Sequence, residues 1–202
     1  MLVLAGCGTG SGPFGVPPAE VTVAGGAVVV AGPAGFCIDR RSLHRDARGE
    51  FVLLGSCAAI SGNPAAPAPA RPAILTATVS EPAAASLERA QDRLPEFFRS
   101  ERGRAALARN GQASSVRILG TDRQEDALLI HLSDSSAGRK AGLHREYWRA
   151  LFPLRERIVT LSVIGYETGP MEDAEARLLL LDFVRQLRKA NPEPARNTAE
   201  KT

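Results

Sequence analysis

No uninterrupted apolar run in this 202-residue chain approaches the roughly 18–20 residues of a membrane-spanning helix, which excludes a polytopic membrane protein. Charge of one sign is also lacking. The net charge is +3, from 25 basic and 22 acidic residues, and arginines alternate with acids along the chain. A pI near 9.0 therefore leaves no concentrated footprint for nucleic acid. Lysine occurs only at Lys140, Lys189 and Lys201; with abundant Ala, Gly and Pro, that is the skew a GC-rich genome produces. The three histidines, His44, His131 and His144, form no His-x-x-x-His and no zincin spacing, so no metal site is predicted. There is no Gly-x-Ser-x-Gly elbow and no Cys-x-x-Cys pair, so neither an α/β-hydrolase nucleophile nor thioredoxin-type redox catalysis is indicated, and no cofactor is implied. What remains is globular in composition, 44% hydrophobic and 23% charged, with length for one domain of ordinary size plus tails.

The first residues carry the strongest signal. In Met1-Leu-Val-Leu-Ala-Gly-Cys7, Leu4, Ala5 and Gly6 precede Cys7, and the segment resembles the lipobox of a bacterial lipoprotein signal peptide position by position. The resemblance implies a diacylglyceryl group on the Cys7 sulfur, cleavage before it, and acylation of the new amino terminus. It also implies the outer membrane, periplasmic face, because Gly8 stands where inner-membrane retention has Asp. The apolar stretch from Leu2 to Leu4 is too short for a signal core and no positive segment precedes it, so the true start is expected upstream of Met1. Residues 8–19, Gly-, Ser- and Pro-rich, read as a flexible tether. The glycines from Gly6 to Gly12 superficially match a phosphate-cradling loop but lack the flanking strand, helix and Lys-Ser/Thr.

With Cys7 assigned to lipid, Cys37 and Cys57 remain. In an oxidising periplasm such a pair reads most simply as a disulfide, and both residues sit in strand-like sequence on either side of a polar loop, Arg40 to Glu50. Two buried thiols or a redox pair are the alternatives.

Short β-branched runs, Val21–Val23 and Ala27–Val30, flank Gly25-Gly26 as a hairpin with a two-residue turn. Phe36–Asp39, Phe51–Ser56 and Ile74–Ser80 read as further strands, the last reached by a Pro/Ala-rich connector over 61–73 that reads as a solvated crossover. Helical spacing follows from Glu81 to Phe98, divided at Pro95, then a shorter helix from Arg102 to Arg109 closed by Asn110-Gly111. The arginines interspersed with acids along these helices read as a solvated face. Two hairpins come next: Ser115–Gly120 with Ala127–Leu132 about the turn Thr121–Asp126, and Tyr147–Phe152 with Ile158–Tyr166 about Pro153–Arg157. A final helix over Pro170–Lys189 has acids at its start and bases at its end, with Ala174, Leu178, Leu181, Val184 and Leu187 as its predicted buried stripe. Asn191-Pro192 stops it, and 191–202 is expected to be a mobile tail.

Strands joined by tight turns, with helices between and after them, predict an α+β domain over 20–190 with a largely antiparallel sheet flanked by helices. From about Val21 to Ala190 it resembles the Mog1/PsbP-like α/β/α sandwich family, on the segment Pro33–Asp39, the hairpin Tyr147–Tyr166 and the amphipathic last helix. That resemblance transfers no catalytic residue and implies a non-enzymatic accessory or binding protein. The aromatic cluster Tyr147, Trp148 and Phe152 lies near Arg145 and Arg149. Alternation places Tyr147 and Arg149 on one sheet face and Trp148 on the other; Trp148 reads first as core, and Tyr147, Trp148 and Arg149 stand as the candidate binding surface. The leading expectation is a lipid-anchored, periplasm-facing module that binds an envelope protein or lipid component. The alternative is an envelope hydrolase built from dispersed His, Asp and Ser residues.

Overall fold

The structure, a computed structural model, describes residues 17–82, 93–136 and 142–192. Cys7 with its lipobox, most of the tether, part of the helical sequence after Glu81 and the tail from 193 lie outside the described residues. The main sheet is built from β3 (Phe36–Ile38), β4 (His44–Asp46), β5 (Gly49–Ser56), β6 (Ala73–Val79), β7 (Val116–Gln124), β8 (Ala127–Asp134), β9 (Glu146–Leu154) and β10 (Arg157–Gly165). Its spatial order is β3-β5-β6-β10-β9-β8-β7, with β4 also paired to β5, and every pairing is antiparallel. A separate ribbon joins β1 (Glu20–Val23) to β2 (Val28–Ala31).

Alternation gives the sheet two faces. In β6, Ala73, Leu75, Ala77 and Val79 are buried, whereas Ile74, Thr76 and Thr78 between them are only half-buried. The first face packs Leu75, Leu129, Trp148, Phe152 and Leu161 against the β1–β2 ribbon and the long C-terminal helix Asp173–Ala190. The second face packs Ile130, Leu132 and Tyr147 under the helices Leu94–Arg99 and Glu101–Leu107, through Phe98 and Leu107. With Cys57–Ser61 as α1, these helices are α2, α3 and, for the last, α4. The fold is therefore α+β, with a mostly antiparallel sheet between helical layers.

Several boundaries differ from the expected ones. The first hairpin closes through four residues, since Val23 pairs with Val28, and Ala24, Gly25 and Gly26 all take positive φ. The turn expected over 121–126 narrows to Glu125-Asp126 because Gln124 still pairs with Ala127. Within the loop expected over 40–50, β4 forms on the edge of β5, although all three of its residues are exposed. Pro95 falls in the first turn of α2, where its missing N–H breaks no helical bond. Ser100 Oγ caps α3 by accepting from Gly103 N. At Gly103 a Cβ would run into the Phe97 carbonyl, so only glycine lets α3 turn this tightly off α2.

Helix α4 starts at Asp173 rather than Pro170, with Glu172 and Glu175 forming a reciprocal capping box. Its buried stripe is Ala176, Leu180, Phe183, Val184 and Leu187; Ala174 is exposed, and Leu178 is 64% exposed. The run Leu178–Leu181 offers two possible faces, and Phe183, the largest side chain, fixes which one meets the sheet.

Candidate functional site

The two cysteines of the described chain meet across adjacent elements. Cys37 is the middle residue of β3, opposite Gly55 of β5, and Cys57 is the first residue of α1. They form a disulfide with a Cα–Cα distance of 4.8 Å. Cys57 N also donates to Gly35 O at 3.0 Å, so the start of α1 is held to β3 by the bridge and to the residue before β3 by a hydrogen bond.

That fixed helix forms one wall of an open groove of about 960 Å³. Ala58, Ala59 and Ile60 of α1 line it on one side, and Leu53 and Ile74 from the second face of the sheet form its floor. Pro17 and Pro18 run along it, anchored where Ile38 N donates to Pro18 O at 2.8 Å. Tyr166 closes one end, and burial raises its phenol above the usual range. Asp39, Arg40 and Arg41 stand at the rim, where Asp39 Oδ1 accepts from Arg41 N and so caps a short 3-10 turn. The Pro/Ala connector is mostly exposed, as expected of a solvated crossover, yet it is tied back to this region. Ala58 N donates to Pro67 O, and Gly35, at φ +82°, lies so close to Ala68 and Pro69 that a Cβ there would approach within 2.6 Å. An apolar trough with a few charges at its rim suits an extended apolar chain better than a compact polar solute.

The predicted binding surface of Tyr147, Trp148 and Arg149 is not a surface. Tyr147 is 2% exposed and Trp148 7%, on opposite faces of the sheet. Two guanidiniums approach the Tyr147 ring, Arg109 at 5.0 Å and Arg149 at 5.5 Å from its centroid. Arg149 is half-buried and donates to Ser162 Oγ, Leu107 O and Tyr147 Oη, which anchors α3 to the sheet. Trp148 belongs to the core of the first face. Alternation foretold the two sides; what it could not reveal is that α3 and α4 cover both.

The histidines do not converge. His131 stacks flat on Trp148, with 4.8 Å between ring centroids and 7° between planes, and its Nε2 lies 3.3 Å from Asp173 Oδ1. The same carboxylate oxygen accepts from Trp148 Nε1 at 2.7 Å. This trio docks the first residue of α4 on the sheet. His44 and His144 are engaged with nearby backbone, at Ser42 O and Glu146 respectively. Among the described residues no group of three His, Cys, Asp or Glu is placed to hold a metal ion.

Asp134, the last residue of β8, has a particular role. Its carboxylate is fully buried and accepts from Arg109 N, Ser136 N and Ser136 Oγ. Burial opposes its ionisation, but these hydrogen bonds outweigh burial and hold the carboxyl below its usual range. It fastens the end of α3 to the end of β8. Nothing in the sequence predicted the groove itself, because Pro17, Leu53, Ile60 and Tyr166 are brought together only by the sheet. Compared with protein-family models, with curated proteins and with solved structures, the chain matches none.

Proposed function

We propose that this chain is a lipid-anchored binding module on the periplasmic face of the outer membrane, and that the groove beside the disulfide takes an apolar segment of an envelope protein or lipid. The observation that carries this reading is the Cys37–Cys57 bridge at the start of the helix that lines the groove, with Cys37 Sγ 3.2 Å from Pro17 O. A disulfide persists in an oxidising compartment, which accords with the lipobox at Cys7. The ten residues from Cys7 to Pro17 span at most ~36 Å, so an anchored chain would keep the groove near the bilayer. The layered sheet also agrees with the Mog1/PsbP-like sandwich, and we assign that family resemblance as part of the same proposal.

Intact-mass spectrometry of chain purified from host envelopes tests the anchor; the expected species begins at Cys7 and carries diacylglycerol and an N-acyl group. A chain found in the cytosol, unmodified and with Cys37 and Cys57 reduced, defeats the proposal. For the groove, Ile60→Asp is expected to abolish co-purification of the bound envelope component while leaving the circular dichroism spectrum unchanged.

A further inference from the structure

Of the arginines between Arg40 and Arg71, three are ion-paired: Arg45 with Glu50 and Glu81, Arg48 with Asp46, and Arg71 with Glu175. Arg40 and Arg41, both exposed, have no acidic partner among the described residues. They belong to the turn at the rim of the groove, and that turn is tied to the groove floor. Asp39 N donates to Leu53 O at 2.9 Å, and Leu53 N donates to Ser42 Oγ at 3.2 Å. Asp39 is the one acid among the described lining residues, and its Oδ1 is engaged by Arg41 N. Two guanidiniums therefore stand against one carboxylate, beside an apolar floor.

The walls offer little to a peptide. β3 is an edge strand, but Ile38 N already donates to Pro18 O, and Pro17, Pro18 and Pro72 have no N–H to give. A peptide lying here would find few backbone donors for its own carbonyls, whereas a hydrocarbon chain needs none. At about 960 Å³ the groove falls in the ~300–1,000 Å³ class of small-molecule sites, enough for one lipid chain. An uncharged occupant, such as the acyl groups expected on Cys7, would leave both arginines unused.

Resting on the groove reading above, we propose that the occupant is a single anionic amphiphile, its hydrocarbon chain on Leu53, Ile60 and Ile74 and its charged headgroup on Arg40 and Arg41.

Equilibrium dialysis of the full chain carrying Cys7→Ser, against palmitoyl-lysophosphatidylglycerol below its micellar concentration, tests this with no lipid attached to the protein. One molecule per chain is expected to bind, about tenfold more tightly than palmitoyl-lysophosphatidylcholine, whose headgroup is zwitterionic. Arg40→Ser with Arg41→Ser should remove that preference and leave lysophosphatidylcholine binding unchanged. Ile60→Asp should abolish binding of both lipids. Arg185→Ser on α4 should bind as the parent does, and circular dichroism confirms that each variant is folded. Equal binding of the two lipids by the parent, a preference that survives loss of both arginines, or binding of neither lipid would each overturn the proposal. Capture of an envelope protein that Ile60→Asp abolishes, with no lipid bound, would refute the amphiphile and leave the groove reading standing. Lipid binding that survives Ile60→Asp would refute the groove itself.

Discussion

Asn191 holds both backbone groups of Val29: its Oδ1 accepts from Val29 N at 2.9 Å, and its Nδ2 donates to Val29 O at 2.6 Å. The same Nδ2 donates to Leu187 O at 2.7 Å. Asn191 is 3% exposed, so the residue that ends α4 also satisfies the outer edge of β2. Asn191→Ala would leave the Val29 N–H and carbonyl short of partners in a half-buried setting. A loss of about 2–3 kcal/mol is expected in urea denaturation, with an unchanged m-value. Parental stability would show that water replaces the amide at no cost.

The disulfide closes a separation of 20 residues, which the chain-entropy model values at roughly 3 kcal/mol. Cys37→Ser with Cys57→Ser should lower the melting temperature accordingly. It should also raise hydrogen exchange over Cys57–Ser61 more than over β9 or β10, because α1 loses its covalent seat while the central sheet keeps its pairings.

Asp134 sets an acid limit. Its carboxyl lies below the usual range in the folded chain, so the folded state binds its proton less readily than the unfolded state does. The stability it contributes is complete above the unfolded carboxylate range and is lost as pH falls through the folded value. Asp134→Asn should therefore cost stability at neutral pH and flatten the acid limb of a stability–pH profile. A variant whose acid limb superimposes on the parent's would refute this role.

The chain has one tryptophan, Trp148, and it is buried against His131 with its indole N–H on Asp173. Asp173→Ala removes that acceptor and is expected to cost on the order of 1–2 kcal/mol. The near-ultraviolet dichroism of the indole should change, while far-ultraviolet dichroism should keep its helical content.

Much of this architecture was legible where side chains alternate against a core. The strands around Leu75, Leu129, Phe152 and Leu161 announced themselves because both helical layers demand apolar residues at every second position. Turns were less legible. Arg155 and Glu156 take positive φ between β9 and β10 without glycine or asparagine. There Arg155 donates to Ala27 O and Pro192 O, long-range contacts that a local turn signal does not contain. β4 escaped notice because His44, Arg45 and Asp46 are exposed and only pairing with β5 makes them a strand. For the candidate site, the parity of the cysteines pointed to the bridge, but the aromatic cluster misled: an aromatic beside an arginine looks the same in sequence whether a helix covers it or solvent does.

The two innermost partners of the sheet come from distant parts of the chain: β6 pairs with β10 from Val79↔Val159 to Ala73↔Gly165. A nascent or translocating polypeptide therefore has no middle to its sheet until the tenth strand emerges, and the N-terminal portion must wait with β6 unsatisfied on one side. Such long-range closure slows folding and lengthens the interval in which an incomplete chain is sticky. Chains stopped before Glu146 should accordingly be captured by holdase chaperones, whereas chains that extend through Asn191 should be released.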